Sequence, residues 1–309
     1  MLSPDEASPF LRNMREVIRV RHYSIRTEEA YVQWVKRFIV FHGKRHPSQM
    51  GEAEVAAFLT YLAVVGNVAS STQNQALNAL VFLYDKVLSR PLGECVGIVR
   101  AKRPQRLPTV LTPIEVGRIL GNLHGVYWLI GCLQYGSGLR LLESIRLRIK
   151  DLDFDHRAVL VRDGKGAKDR VVTLPDELVV PLKRHLANRK TLFERDCAQG
   201  FGSVFLPHAL DRKYPNAESD WSWQYLFVAD QVSVDPRSEK RRRHHVNESA
   251  VQKAVRNAVR QSEIHKQRAA TRCAILLLRT YSSAVPISAP FRNSSVTRMS
   301  ERRRSIRTS

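Results

Sequence analysis

Acids are scarce in this 309-residue chain: 29 Asp and Glu stand against 50 Lys and Arg, for a formal charge of +21 and a pI near 10.4. That imbalance points to a polyanionic partner, nucleic acid first and an anionic membrane surface second. Cysteine is equally sparse. Cys95, Cys132, Cys197 and Cys273 lack CxxC spacing, which argues against a disulfide framework or a zinc ribbon and reads as reduced thiols in a cytoplasmic protein. No apolar run approaches ~18 residues and no signal-like segment opens the chain, so the expectation is a protein that neither spans nor crosses a membrane. Internal repeats are missing too. The adjacent pair His244-His245 has no third ligand nearby in sequence, which is poor geometry for a metal, and neither metal nor cofactor is expected.

What is present is basic charge spread through the body. Removing residues 267–309, with nine arginines and one glutamate, still leaves +13. The length allows two domains, each able to bury a core. Helical spacing of Leu11, Met14, Val17 and Ile18 predicts a first helix, and a loop with Arg21, His22, Tyr23 and Arg26 follows. Thr27 reads as an N-cap with Glu28 and Glu29 in the first turn, opening a helix whose buried stripe is Tyr31, Trp34, Val35 and Phe38. Further helices fit Glu52 to Val65 and the stretch after Ser70-Ser71-Thr72, giving a four-helix bundle over residues 10–92. Its aromatics read as core, and the basic loop reads as a set of phosphate contacts.

Residues 93–112 form a basic, proline-interrupted linker in which Arg100, Lys102 and Arg103 can track a phosphate backbone. It ends at Thr112-Pro113-Ile114-Glu115, a strong helix start and a domain boundary. Helices are expected over 113–123, 126–136 and 139–149, the last carrying Arg140 and Glu143 on one face. Strands from Ala158 to Arg162 and from Arg170 to Leu174 flank Asp163-Gly164-Lys165-Gly166, a turn that projects one long cation. A guanidinium and an ammonium approaching from two sides suit a phosphate. Such a turn is also a common solvated hairpin end, and Glu143 is also an ordinary i, i+3 partner of Arg140. An amphipathic helix from Asp176 to Lys190 and another from Glu248 to Ser262 complete a second domain over 113–266. Between them, about 196–243 is irregular and aromatic. Trp221 and Trp223 there read either as core or as platforms for unpaired bases, before the basic run containing Arg242, His244 and His245. The fold class is mainly α, a helical bundle joined to a mixed α/β domain with a small antiparallel sheet.

The ordered set Gly-x-Gly-x-Arg-x-x-Glu, Leu-x-x-x-Asp-Leu-Asp and Gly-Lys-Gly-x-Lys-Asp-Arg, spanning Gly136 to Arg170, resembles the catalytic domain of tyrosine recombinases, the phage-integrase and Xer class. HYSIRTEEAYVQWVKRFIVFHG and ALDRKYPNAESDWSWQYLF narrow the resemblance to integron integrases, up to about Lys266. It implies a core-binding bundle and a catalytic domain that close around DNA. It implies further that Arg140 is the first catalytic arginine, Lys165 the general acid and Glu143 a bracing acid. The partners it implies are a duplex attachment site and a folded single-stranded site, with a homo-tetramer on DNA and the aromatic insertion holding protruding bases.

The family's His-x-x-Arg, Gly-His and nucleophilic Tyr do not follow. No histidine comes after His265, and Tyr281 lacks the expected flanks. After Lys266 the composition shifts to nine Arg and eight Ser with a single acid, Glu301. Either a natural basic tail or a shifted reading frame gives such a segment. Allowed codons regrouped one nucleotide earlier read His-Thr-Leu-Arg-His-Ser-Phe-Ala-Thr-His across Ala270 to Thr280. They also read the histidine of a Gly-His-Thr-Asp at Val296-Thr297 and Ile-Tyr-Thr-His-Val across Ser305 to Ser309. The expectation is therefore a frameshifted recombinase whose residues 267–309 are an out-of-frame, disordered tail, with an incomplete catalytic domain that binds DNA without cleaving it. A DNA-binding protein without catalysis is the alternative, and an RNA-binding protein a third.

Overall fold

Apolar residues three and four apart dominate both halves of the chain, and the computed structural model is accordingly mostly helical. It describes residues 8–93, 111–162, 164, 168–207, 210–235 and 238–264. The chain divides into two compact units, Met1–Arg106 and Leu107–Ser309.

In the first unit, α1 (Pro9–Val20), α2 (Ile25–Phe41), α3 (Glu52–Val64) and α4 (Ser70–Phe82) form the expected bundle. Met14, Ile18, Phe38, Phe58, Leu62 and Leu80 are almost wholly removed from solvent. Each contributes about 1.5–3 kcal/mol of transfer free energy. One expectation is corrected here. The cap of α2 is Ser24, whose hydroxyl accepts the Thr27 N–H at 3.1 Å; Thr27 lies inside the helix. Glu28 lies in the first turn as expected. It is buried, and Arg15 (3.0 Å) and Arg19 (2.8 Å) hold its carboxylate, so two α1 cations lock α1 to α2. Burial raises the Glu28 pKa, but the hydrogen bonds from Arg19 and Arg15 outweigh it and leave the carboxyl below its usual range.

The second unit opens on α5 (Pro113–Gly121), closed by a full capping box in which Thr112 N–H meets Glu115 Oε2 at 2.7 Å and Glu115 N–H meets Thr112 Oγ1 at 3.2 Å. The apolar α6 (Gly125–Ser137) runs through the core and stops at Gly138, whose left-handed φ of 65° turns the chain sharply into Arg140. Next comes α7, only Leu141–Ile145, so the helix expected over 139–149 is corrected to one short turn. Arg140 is its N-cap and not a residue of its interior. A strand missing from the sequence reading, β1 (Leu152–Asp153), joins β2 (Ala158–Val161) and β3 (Arg170–Thr173) in an antiparallel sheet of order β1-β2-β3. Val159 pairs with Val172. Val159 and Val161 point inward from β2 to the core, the period of two that a half-buried strand needs. A 20-residue helix, α8 (Val179–Ala198), follows. The irregular stretch after it contains α9 (Leu210–Lys213) and the two-stranded β4 (Ser233–Val234) and β5 (Arg241–Arg242). Then α10 (Glu248–Gln261) packs against α5, α6 and α7. The stretch has a small core of its own, Val204, Leu206, Ala217 and Tyr225.

Candidate active site

Three elements bring charge to one place. Gly138 ends α6 and delivers Arg140 to the start of α7, α7 holds Glu143 one turn later, and β3 begins with Arg170. Glu143 is the hub. Its carboxylate accepts the Arg140 main-chain N–H at 2.8 Å and Arg140 Nη1 at 2.5 Å. Arg170 adds a bidentate pair, Nη1 to Oε1 at 3.0 Å and Nη2 to Oε2 at 2.7 Å. The Glu143 side chain is 7% exposed, whereas those of Arg140 and Arg170 are each about a third exposed, 33% and 34%. Burial alone raises the carboxyl pKa, but Arg170 and the two Arg140 donors overcome it and bring it to about 2. At neutral pH the cluster therefore has one buried anion and two guanidiniums that still reach solvent, a net positive site. The buried Nε of Arg140 has no hydrogen-bond partner among the described residues.

Gly164 donates its N–H to the Lys168 carbonyl at 3.1 Å. A Cβ on Gly164 would stand 2.8 Å from that carbonyl, 3.0 Å from Arg170 Nη1 and 3.7 Å from Glu143 Oε1. Only glycine lets the backbone come this close to the ion cluster. Lys165 itself lies outside the described residues, as do Arg100, Lys102, Arg103 and the whole of 265–309 with Tyr281.

Arg170 was not singled out as a site residue from sequence. Its signal was in plain view as the last residue of Gly-Lys-Gly-x-Lys-Asp-Arg, but nothing in a linear motif says that its guanidinium folds back onto Glu143, 27 residues earlier. Glu143 is accordingly more than the i, i+3 partner of Arg140.

The other candidates fall into separate places. In the first unit Arg21, His22, Tyr23 and Arg26 are exposed around the α1–α2 corner. His22 takes a left-handed φ of 55°, and Tyr23 rests edge-on against Tyr31 at 6.3 Å. In the second unit Trp221 and Trp223 are half-buried. Trp221 lies against Phe193 (5.4 Å) with Lys190 at 5.0 Å, and Trp223 lies against Tyr214 (5.7 Å) beneath Lys150. Burial and the neighbouring Arg162 push the Lys150 pKa down to about 8.

Of the basic run at 241–245, only Arg241 is exposed, so Arg242, His244 and His245 do not stand out as free DNA contacts. Arg242 and Arg243 are buried, Arg243 on Asp196 at 2.6 Å and Arg242 beside Asp235. His244 and His245 are half-buried against Tyr225. Burial, aided by Arg146, holds His244 below its usual value, and burial with the adjacent His244 brings His245 to about 4. Both are neutral rings at physiological pH and contribute no cation there.

The second unit thus holds an arginine–glutamate–arginine cluster with the Gly164 backbone close against it, and it follows a helical bundle. Two family models match the chain. The phage integrase N-terminal SAM-like domain matches residues 10–94, and the phage integrase family matches residues 109–273. An integrase/recombinase of Escherichia coli and one of Pseudomonas aeruginosa are each 48% identical over 265 residues, covering 86% of this chain and 79% of theirs. Among solved structures, a XerH site-specific recombinase bound to its difH substrate has the same fold, with a TM-score of 0.52 at 14% identity over 87% of this chain and 73% of that one. The chain belongs to the phage integrase family of tyrosine recombinases. No described helix is long and apolar enough to cross a membrane.

Proposed function

We propose that this chain is an integron-type integrase that binds DNA, grips a backbone phosphate at the Arg140–Glu143–Arg170 cluster, and does not cut it. The observation that carries the phosphate reading is the cluster itself: a buried, fully ionised Glu143 holds two part-exposed guanidiniums while the Gly164 backbone packs against them. Arg140 would contact the scissile phosphate, Lys165 would protonate the departing oxygen, and Glu143 with Arg170 would brace both.

Cleavage in this chemistry needs a tyrosine Oη to attack phosphorus. A P–O(Tyr) bond forms, the P–O5′ bond breaks, and the 5′ oxygen takes the lysine proton. The His-x-x-Arg, Gly-His and flanked Tyr that complete such a site are missing from residues 267–309, and codons allowed for those residues can be chosen so that a one-nucleotide regrouping reads all three in order. Loss of the nucleophile and of half the transition-state donors removes terms each worth orders of magnitude.

The aromatic stretch 196–243 is read as the part that holds protruding bases of a folded single strand. Arg21, His22, Tyr23 and Arg26 with the basic linker serve as phosphate contacts, and the assembly on DNA is a tetramer in the cytoplasm. A nicked suicide substrate tests the central claim. Retained binding with no covalent adduct is expected, and a phosphotyrosyl adduct formed by this chain sinks it. The gene should show a one-base deletion near codon 266. Binding should weaken by about 10³-fold or more between about 50 and 200 mM salt.

A further inference from the structure

Of the four buried arginines described in the second unit, three donate to main-chain carbonyls of the aromatic stretch. Arg243 binds Asp196 and the carbonyls of Ala229 (2.9 Å) and Asp230 (2.6 Å). Arg189 Nε reaches the Tyr225 carbonyl at 3.4 Å. Arg148, 7% exposed, is placed differently from both. Its Nη1 donates to the Trp223 carbonyl at 2.5 Å and its Nη2 to the Phe205 carbonyl at 2.8 Å, and its Cζ lies 4.8 Å from the centre of the Tyr225 ring. The nearby Asp151 carboxylate takes the Arg148 main-chain N–H (2.8 Å) and Arg162 Nε (2.9 Å). One guanidinium thus joins two loops of the stretch that are 18 residues apart in sequence. Main-chain bonds from Ile149 N–H to Gln224 O (3.0 Å) and from Leu226 N–H to Leu147 O (2.8 Å) flank it on both sides. A planar fork with several fixed donors bridges two carbonyls in this way, whereas a lysine ammonium is a single point charge.

We propose that Arg148 is a positioning residue for substrate choice: by bridging the Phe205 and Trp223 carbonyls it fixes segment 221–225 in the one conformation that accepts an unpaired base. The inference rests on the reading of the aromatic stretch given above. Because Arg148 is buried, it touches no phosphate. Its effect therefore falls on the preference for a folded strand and not on general affinity for DNA.

The test uses the full chain and two DNA hairpins of one sequence, one with two unpaired bases in its stem and one fully paired, with affinities measured by fluorescence anisotropy across a salt series. Wild type should prefer the hairpin with unpaired bases. Arg148→Lys should lose 10-fold or more on that hairpin and less than 3-fold on the paired one, with an unchanged slope of log affinity against log salt. Equal loss on both hairpins, no loss on either, or a slope reduced by about one, the mark of a direct phosphate contact, overturns the proposal. If wild type shows no preference, the reading of the stretch fails and the proposal falls with it. If wild type prefers the unpaired bases and Arg148→Lys keeps that preference, only the role of Arg148 fails. Should Arg148→Lys not fold, as judged by near-ultraviolet dichroism, Arg148→Gln decides. It buries no charge and keeps a donor for only one of the two carbonyls, and a selective loss of 3-fold or more upholds the proposal while an unselective loss or none overturns it.

Discussion

Two arginine clusters of the second unit have the same chemistry and opposite settings. Around Glu143, two guanidiniums share one buried carboxylate and keep about a third of their surface in water. Around the aromatic stretch, Arg148, Arg189 and Arg243 are withdrawn from water and bind main-chain carbonyls, with Asp196 the carboxylate on Arg243. The first arrangement leaves positive charge available to a ligand. The second uses positive charge as internal bracing for loops that lack regular backbone pairing. Position in sequence does not separate these roles, and burial does. Burial lowers the Arg189 pKa to about 10 and also lowers that of Arg148, while the hydrogen bonds Arg170 donates to Glu143 raise that of Arg170.

The sharpest way to break this contrast is at the internal brace. Asp196→Ala leaves Arg243 buried without its carboxylate and should destabilise the second unit by about 3–5 kcal/mol, read from urea unfolding. A loss below about 1 kcal/mol would mean that water reaches the pair and that the two clusters are alike. Next in size is the site cluster. Glu143 has a folded pKa of about 2 against an ordinary value of 4.5, so its contribution is complete above the unfolded pKa and disappears as pH falls from about 4.5 towards 2. Glu143→Gln should therefore cost about 2–3 kcal/mol at pH 7 and flatten the stability profile across that acid window. An unchanged slope between pH 5 and 2 would show that the two arginines do not depress this carboxyl.

The aromatic face comes third. Trp221→Ala should weaken binding of a hairpin with unpaired bases by about 1–3 kcal/mol and leave paired duplex nearly unaffected. Equal losses on both would assign Trp221 to the core beside Phe193. Smallest is a control outside both clusters. Ser24→Ala removes the α2 cap and should cost about 1 kcal/mol of first-unit stability without altering the salt dependence of DNA binding. A loss above about 2 kcal/mol would show that Ser24 holds more of the α1–α2 corner than the helix cap, and a changed salt slope that the cap sets the neighbouring phosphate contacts.

The sequence by itself determined the helical bundle, because aromatic and aliphatic residues recur at helical spacing from Leu11 to Tyr84 and little else can bury them. It determined the Thr112–Glu115 helix start, since a capping box is a contact between near neighbours. Arg140 and Glu143 were legible through an ordered motif, and so was the paired strand after Ala158. Tertiary structure decided the rest. Ser24 and not Thr27 caps α2 because the chain leaves α1 through a left-handed His22, and Glu28 turns inward because Arg15 and Arg19 of the preceding helix await it. Arg170 joined the site only when β3 folded back over α7. The cations at 242 and 243 became internal only when Asp235 and Asp196 came within reach, and Arg148 became a bridge only when two distant loops offered it carbonyls. The physical reason is common to all of these: periodicity and capping act within a turn or two of chain, whereas the fate of a charge depends on burial and on partners that only long-range packing supplies.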